Sequence, residues 1–350
     1  MARFLPVLLA FCCGWAEAAG ERFFLPTDNG AVQDPVHYLQ NVGTVRGNGG
    51  FGMVREQGTR FHGGIDIRPL RRRPDGEPAD AVRSVADGTV VYVNRNPKMS
   101  SYGVYVLVEH DGLSLPLLSL YGHLATVREE IVSGRRLSAG DPLGTMGRTA
   151  ADYVIKKEQA HLHFELALRL GEEEKFSRWY LLQRFPTANC HGQWNGLNLV
   201  SLDPLPLLRT IGEFSLAEHV RRLPTAFETR IRTGQLPPFL RRYGALWDGN
   251  TDEPGGDFLV EWTWFGLPKR WRPLPPSDLG MATATEVTLL RWDPGWLASA
   301  SARGTLQRGR NGFVRLGERT LDTLEKIFGD SVKTLDSPAV NFSNGGGIGR

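Results

Sequence analysis

The chain has 350 residues, enough for about two domains. Its 41 Lys and Arg against 38 Asp and Glu leave a net charge of +3, too even for a nucleic-acid binder, which needs a concentrated basic patch. A hydrophobic share of 41% and a charged share of 23% exclude a disordered chain, and three Cys exclude a disulfide scaffold or a Cys-rich zinc module.

The first 19 residues read as an export signal. Arg3 gives a positive start, Leu5 to Trp15 is an apolar run too short to span a membrane, and Ala16-Glu17-Ala18 offers a small-x-small cleavage pattern. Cleavage there removes Cys12 and Cys13 and leaves Cys190 alone. A lipid anchor on Cys12 is disfavoured because bulky Phe11 precedes it. No later stretch reaches ~18 unbroken apolar residues, so the expectation is an exported protein, periplasmic or extracellular, without a stable membrane span.

From Phe23 to Leu205 short β-rich runs alternate with turns: Val85 to Val93 through Asp87-Gly88, Tyr102 to His110, Leu115 to Leu120, Ser138 to Gly147, and Ala160 to Leu168. This spacing predicts a compact antiparallel β domain over residues 20–205. Beyond Asp203-Pro204 the pattern changes, and residues 206–350 read as a mixed α/β extension. Ser215-x-x-Glu218 and Thr225-x-x-Glu228 both fit a capping box, which predicts two short helices. Phe258 to Trp264 and Glu286 to Trp292 alternate like strands. Thr320 to Phe328 places Leu321, Leu324, Ile327 and Phe328 on one helical face. The glycine-rich tail from Asn344 is expected to fray.

Four of the eight His fall in three tight motifs: Phe61-His62-Gly63-Gly64-Ile65-Asp66, Tyr121-Gly122-His123-Leu124, and His161-Leu162-His163-Phe164-Glu165. On a strand, His161 and His163 point to one face, and two imidazoles buried together need a partner. Gly63 and Gly64 are expected to let the backbone turn so that His62 and Asp66 converge. His62, Asp66 and one of the His161/His163 pair make a zinc set of two imidazoles and one carboxylate, with net charge +1 and room for water. Each motif alone also fits a packed or surface histidine. Their conjunction in one β-rich stretch carries the metal reading.

Together the motifs resemble those of the M23 (lysostaphin-type, LytM-like) metallopeptidases, which cleave peptide bonds in bacterial peptidoglycan. The resemblance covers residues 60–170, with an echo at Asp203-Pro204, and includes Val85-Ala-Asp-Gly-Thr-Val, Val108-Glu-His-Asp-Gly and Gly140-Asp-Pro-Leu-Gly-Thr-Met-Gly. It implies a mainly β metallopeptidase domain with Zn2+ on His62, Asp66 and His163. It also implies that His123 and His161 are the non-ligand histidines that serve the reaction, and that peptidoglycan peptides are the partner. Glu165 is either an acceptor for a ligand imidazole or a solvated glutamate. The run Thr149 to Ala160 is longer than the family's usual glycine-containing turn and is expected to border the cleft. The rival reading is a non-catalytic wall-binding or amidase-activating protein on the same fold. A zinc peptidase acting on a protein or secreted peptide is a third.

Other features read more plainly. Arg68, Arg71, Arg72 and Arg73 could attract anionic wall polymers, but a solvated loop is the simpler reading. The six Trp between residues 247 and 296 could stack on sugars, but core packing is the simpler reading. Asp248, Asn250 and Asp252 mimic an EF-hand start, yet Glu253 stands where Gly is required, so calcium is rejected. Cys190 beside His191 is too isolated for a cysteine hydrolase.

Overall fold

A computed structural model describes residues 21–341, apart from the segments 42–47, 56–59, 211–213, 250–254, 276–283, 310–311, 330–331 and 336–339. The expected export signal over residues 1–19 and the glycine-rich tail from Asn344 lie outside the described residues.

While Ser138 to Gly147 joins a smaller sheet, most of the β-rich runs of the first region pair into one antiparallel seven-stranded sheet. Its strands are β1 (Ile65–Ile67), β2 (Gly88–Asn94), β3 (Tyr105–His110), β4 (Leu117–Gly122), β5 (Arg136–Leu137), β6 (Leu162–Arg169) and β7 (Leu199–Leu202). The order is β7-β6-β4-β3-β2-β5, with β1 on the start of β6. A small sheet of Ala81–Arg83, Pro142–Met146 and Leu124–Val127 lies beside it.

Strand β6 carries the logic of the fold. Leu162, Phe164, Leu166 and Leu168 enter the main apolar core, and Phe164 meets Tyr121 at 5.4 Å between ring centroids. Ala167 points the other way, into a smaller cluster with Tyr105, Leu107, Leu118, Leu120 and Leu199. Both faces are therefore covered, and every residue of β6 is buried. A period of two puts His163 and Glu165 on the Ala167 side. Register then fixes their neighbours: His163 stands opposite Asp66 on β1 and opposite Gly122 on β4. A slip of one residue would turn the histidines into the apolar core, so Phe164 and its neighbours position the site as well as stabilise it. Removing a buried Phe side chain costs about 3–5 kcal/mol.

After residue 205 a second sheet forms from β8 (Phe227–Thr233), β9 (Gly256–Trp262), β10 (Pro268–Pro273), β11 (Thr285–Trp292) and β12 (Val332–Thr334), in the order β10-β9-β8-β11-β12. Its ladders are antiparallel except for β12 and the short strand Val340–Asn341, which both pair with β11 in parallel. Helices α1 (Leu216–Arg222), α2 (Pro294–Arg303) and α3 (Glu318–Phe328) pack around it. The architecture is mainly antiparallel β with a mixed α/β C-terminal part. Buried side chains from both sides of residue 205 form one continuous apolar cluster.

Two expectations divide here. Ser215 caps α1, its hydroxyl accepting from the Glu218 N–H at 3.3 Å. Thr225-x-x-Glu228 opens no helix; it leads into strand β8. Phe227, Thr229, Ile231 and Thr233 alternate as buried residues, and the Thr225 hydroxyl donates to Glu261 on β9 at 3.0 Å. The two-residue period and the β-branched content outweigh a local capping pattern. Helix α3 buries Leu324, Ile327 and Phe328 as its spacing predicts. Trp247, Trp262 and Trp271 are core residues. Among the described residues no helix is long and apolar enough to cross a membrane.

Candidate metal centre

The three histidine motifs meet at the open end of β6. His62 lies just before β1, Asp66 is at its middle, and His163 faces Asp66 across the ladder. Asp66 is fully enclosed, and His62 and His163 are 5% and 7% exposed. His62 Nε2 lies 3.0 Å from Asp66 Oδ1 and 3.2 Å from His163 Nδ1, and His163 Nδ1 lies 3.0 Å from the same Oδ1. Ligands held at ~2.0–2.1 Å in a tetrahedron stand about 3.3 Å apart, so the triangle has nearly the size a zinc ion needs.

The outer atoms explain why the inner ones face each other. His62 Nδ1–H donates to the Gly50 carbonyl at 2.8 Å, and His163 Nε2–H donates to Glu165 Oε1 at 2.8 Å. With those protons outside, both inner nitrogens and Asp66 Oδ1 present lone pairs to one buried point. Three such atoms repel unless a cation sits among them, a metal ion or a proton. The donor set therefore fits a divalent metal. Burial alone would raise the Asp66 carboxyl, but the imidazoles of His161, His62 and His163 hold it well below the usual carboxylate range. Burial would likewise depress His163, yet its bonds to Asp66 and Glu165 raise it to about 9, so without metal a proton takes the central place.

Glu165 is an acceptor for a histidine rather than a solvated side chain. It is 3% exposed, and it also accepts from the Tyr102 hydroxyl at 2.9 Å and the Ser201 hydroxyl at 2.8 Å. Gly63 and Gly64 act differently from expectation. Neither adopts a positive φ. A Cβ on Gly64 would lie 2.3 Å from the Phe164 carbonyl oxygen and 2.8 Å from Glu165 Cγ, so what the motif needs is close backbone approach to β6.

Two more histidines flank the triangle. His123 and His161 are each 3% exposed, with ring centroids 4.9 Å apart. His123 Nδ1–H donates to the Thr149 carbonyl and His161 Nδ1–H to the Gln159 carbonyl, both at 2.7 Å. Their Nε2 atoms are left as acceptors; that of His161 lies 3.4 Å from Asp66 Oδ1. Burial lowers both pKa values, which keeps the rings neutral near pH 7. His123 has φ +59, one of two non-glycine residues with positive φ among the described residues, a conformation that costs about 1–3 kcal/mol and is found at functional sites. The long run 149–160 thus supplies a carbonyl at each end. It also borders the cleft through Ala151 and Asp152 and brings the Tyr153 hydroxyl to 3.5 Å from His123 Nε2.

Residues 60–174 match the family model described as Peptidase family M23. This stretch belongs to peptidase family M23. Among curated proteins none matches the chain. Solved structures similar to parts of it include a protein assigned as a glycyl-glycine endopeptidase lytM from Ruminococcus gnavus, 22% identical, covering 42% of this chain and 45% of that one, TM-score 0.28. The catalytic domain of lysostaphin from Staphylococcus simulans is 18% identical over 49% of this chain and 93% of that one, TM-score 0.29. A zinc-containing peptidase from Vibrio cholerae is 22% identical over 42% of this chain and 37% of that one, TM-score 0.28. The chain thus spans less than two thirds of the Ruminococcus and Vibrio proteins. At such TM-scores these likenesses carry no weight; the M23 stretch is assigned by the family match, and its site is described by its own geometry.

The M23 stretch forms only part of the cleft. An opening of about 620 Å³ runs from His62, His163 and Glu165 past Tyr102 and His191 to Arg303, Arg319 and Lys326 of the C-terminal part. Cys190 is a free exposed thiol on its rim. The arginines after the first motif are engaged locally: Arg71 with Asp28 at 2.6 Å, Arg72 with the Lys157 carbonyl at 2.7 Å, Arg73 with Asp75 at 3.5 Å. Asp248 pairs with Arg221 and Arg270.

Proposed function

We propose that the chain is an exported zinc metalloendopeptidase that hydrolyses peptide bonds in bacterial peptidoglycan. The observation that carries this reading is the buried triangle of His62 Nε2, Asp66 Oδ1 and His163 Nδ1, flanked by the accepting Nε2 atoms of His123 and His161. Resemblance to the M23 family supplies the substrate class.

When bound, zinc lowers the pKa of a water molecule toward ~7 and polarises a carbonyl. The protein's own part is orientation and proton handling. The Gly50 carbonyl and Glu165 lock the tautomers of His62 and His163, so each turns a lone pair inward. His161 and His123, neutral and oriented by Gln159 and Thr149, accept the proton of the attacking water at Nε2. As an imidazolium, either one then donates to the developing oxyanion or to the leaving amine.

Digestion of purified muropeptides, with mass identification of the fragments, tests the proposal. New amine and carboxyl ends released by the native protein and lost in His163→Ala are expected. Intact muropeptides with fully zinc-loaded protein would leave the wall-binding reading.

A further inference from the structure

The far wall of the cleft belongs to no family motif. It is made by residues separated in sequence: Arg303 at the end of α2, and Arg319, Thr323 and Lys326 on one face of α3. Lys326 is only 4% exposed, yet it lines the opening. Its ammonium lies 3.8 Å over the Trp179 ring, and no carboxylate reaches ion-pair distance among the described residues. Arg303 stacks 4.2 Å over the ring of Phe61, the residue before His62, and its buried Nε has no hydrogen-bond partner. Arg319 has no ion pair among the described residues either. The nearby acids do not neutralise the group. Glu165 is already bonded to His163, Tyr102 and Ser201, and Asp322 and Glu325 act on Lys326 only at a distance. Burial and the neighbouring Arg319 lower Arg303 to about 10, which marks the cost of gathering these charges.

Cations held this way, on the wall of a water-filled cleft, are stabilised when an anion enters. We propose that Arg303, Arg319 and Lys326 form a subsite for a carboxylate of the peptide substrate, placed beside the histidine cluster by the C-terminal part of the chain. The subsite rests on the peptidase reading and narrows it. The preferred peptides carry a free carboxylate close to the bond that is cut, and α2 and α3 set that preference. Arginine forks match a planar carboxylate, and the buried ammonium adds a point charge.

The test compares binding of N-acetyl-D-alanyl-D-alanine and its C-terminal amide to the full zinc-loaded chain by calorimetry, with inorganic phosphate as a competing probe. The acid is expected to bind about tenfold tighter than the amide. Arg319→Gln and Lys326→Met should each cut that preference about threefold or more. Arg319 is exposed, so its variant keeps the test valid if Lys326→Met fails to fold. Equal affinity for acid and amide, or a preference that survives both variants, overturns the subsite. Phosphate binding that outcompetes the acid and vanishes in both variants overturns the carboxylate assignment in favour of a free phosphate. Muropeptide cleavage without an acid preference defeats the subsite alone; an acid preference without cleavage defeats the hydrolase alone.

Discussion

The two walls of the cleft are built on opposite principles. On the M23 wall every buried imidazole has its outer N–H given to a carbonyl or carboxylate, and Glu165 has three donors. On the C-terminal wall three cations collect with a ring face or open space for company. Saturated outer bonds aim side chains at a fixed point, which suits a group that must grip an ion. Unsatisfied charge suits a surface that waits for a partner to arrive. On the proposed function, the difference gives bond cleavage to one wall and substrate selection to the other.

The sharpest way to break that division is to remove a donor. His62→Ala or His163→Ala should lose bound zinc and about 10⁴-fold or more of peptide hydrolysis, measured by elemental analysis and muropeptide release. A variant that keeps both its metal and its activity would undo the ligand assignment. His123→Asn is expected to keep its zinc but lose about 10²–10⁴ in kcat, since it removes a proton carrier and no ligand. Loss of metal in that variant would move His123 into the donor set. Glu165→Gln, which weakens the acceptor behind His163, should lower zinc affinity about 10–100-fold in a competitive chelator titration; unchanged affinity would make Glu165 a packing residue.

The remaining prediction lies on the other wall and is read in stability, not in activity. Burial, reinforced by Arg319 and Arg303, pushes the Lys326 ammonium down to about 7 from its ordinary 10.5. Between these values the unfolded chain keeps a proton that the folded chain gives up. Stability is therefore lost as pH falls from 10.5 to 7, on the order of 5 kcal/mol in all. Lys326→Met should flatten denaturation midpoints over that range and raise the midpoint at pH 7. Identical slopes in both proteins would mean that Lys326 keeps its proton in the folded state as it does in the unfolded chain.

The M23 wall was legible in sequence because its side chains sit at spacings with geometric meaning. His161 and His163 are two apart on one strand, and His62 and Asp66 flank two small residues. What supports them was hidden for a physical reason. The Gly50, Thr149 and Gln159 carbonyls are backbone atoms that any residue type supplies, and Tyr102 from a turn and Ser201 from β7 reach Glu165 across long stretches of sequence. The role of Gly64 was misread because a missing Cβ serves close packing as readily as it serves a turn. At Thr225 a capping pattern opens a strand and not a helix, because the alternation of Phe227–Thr233 outweighs the local chemistry. The cationic wall had no signature. Arg303 and Lys326 look like ordinary helix residues until the chain on both sides of residue 205 shares one core.

His123 carries a tension that evolution or a protein engineer would feel at one codon. Its left-handed backbone is comfortable for glycine or asparagine and uncomfortable for imidazole. A library sorted for heat tolerance would drift toward those two residues, while one sorted for turnover would restore histidine. At this position durability and speed would be purchased from the same account.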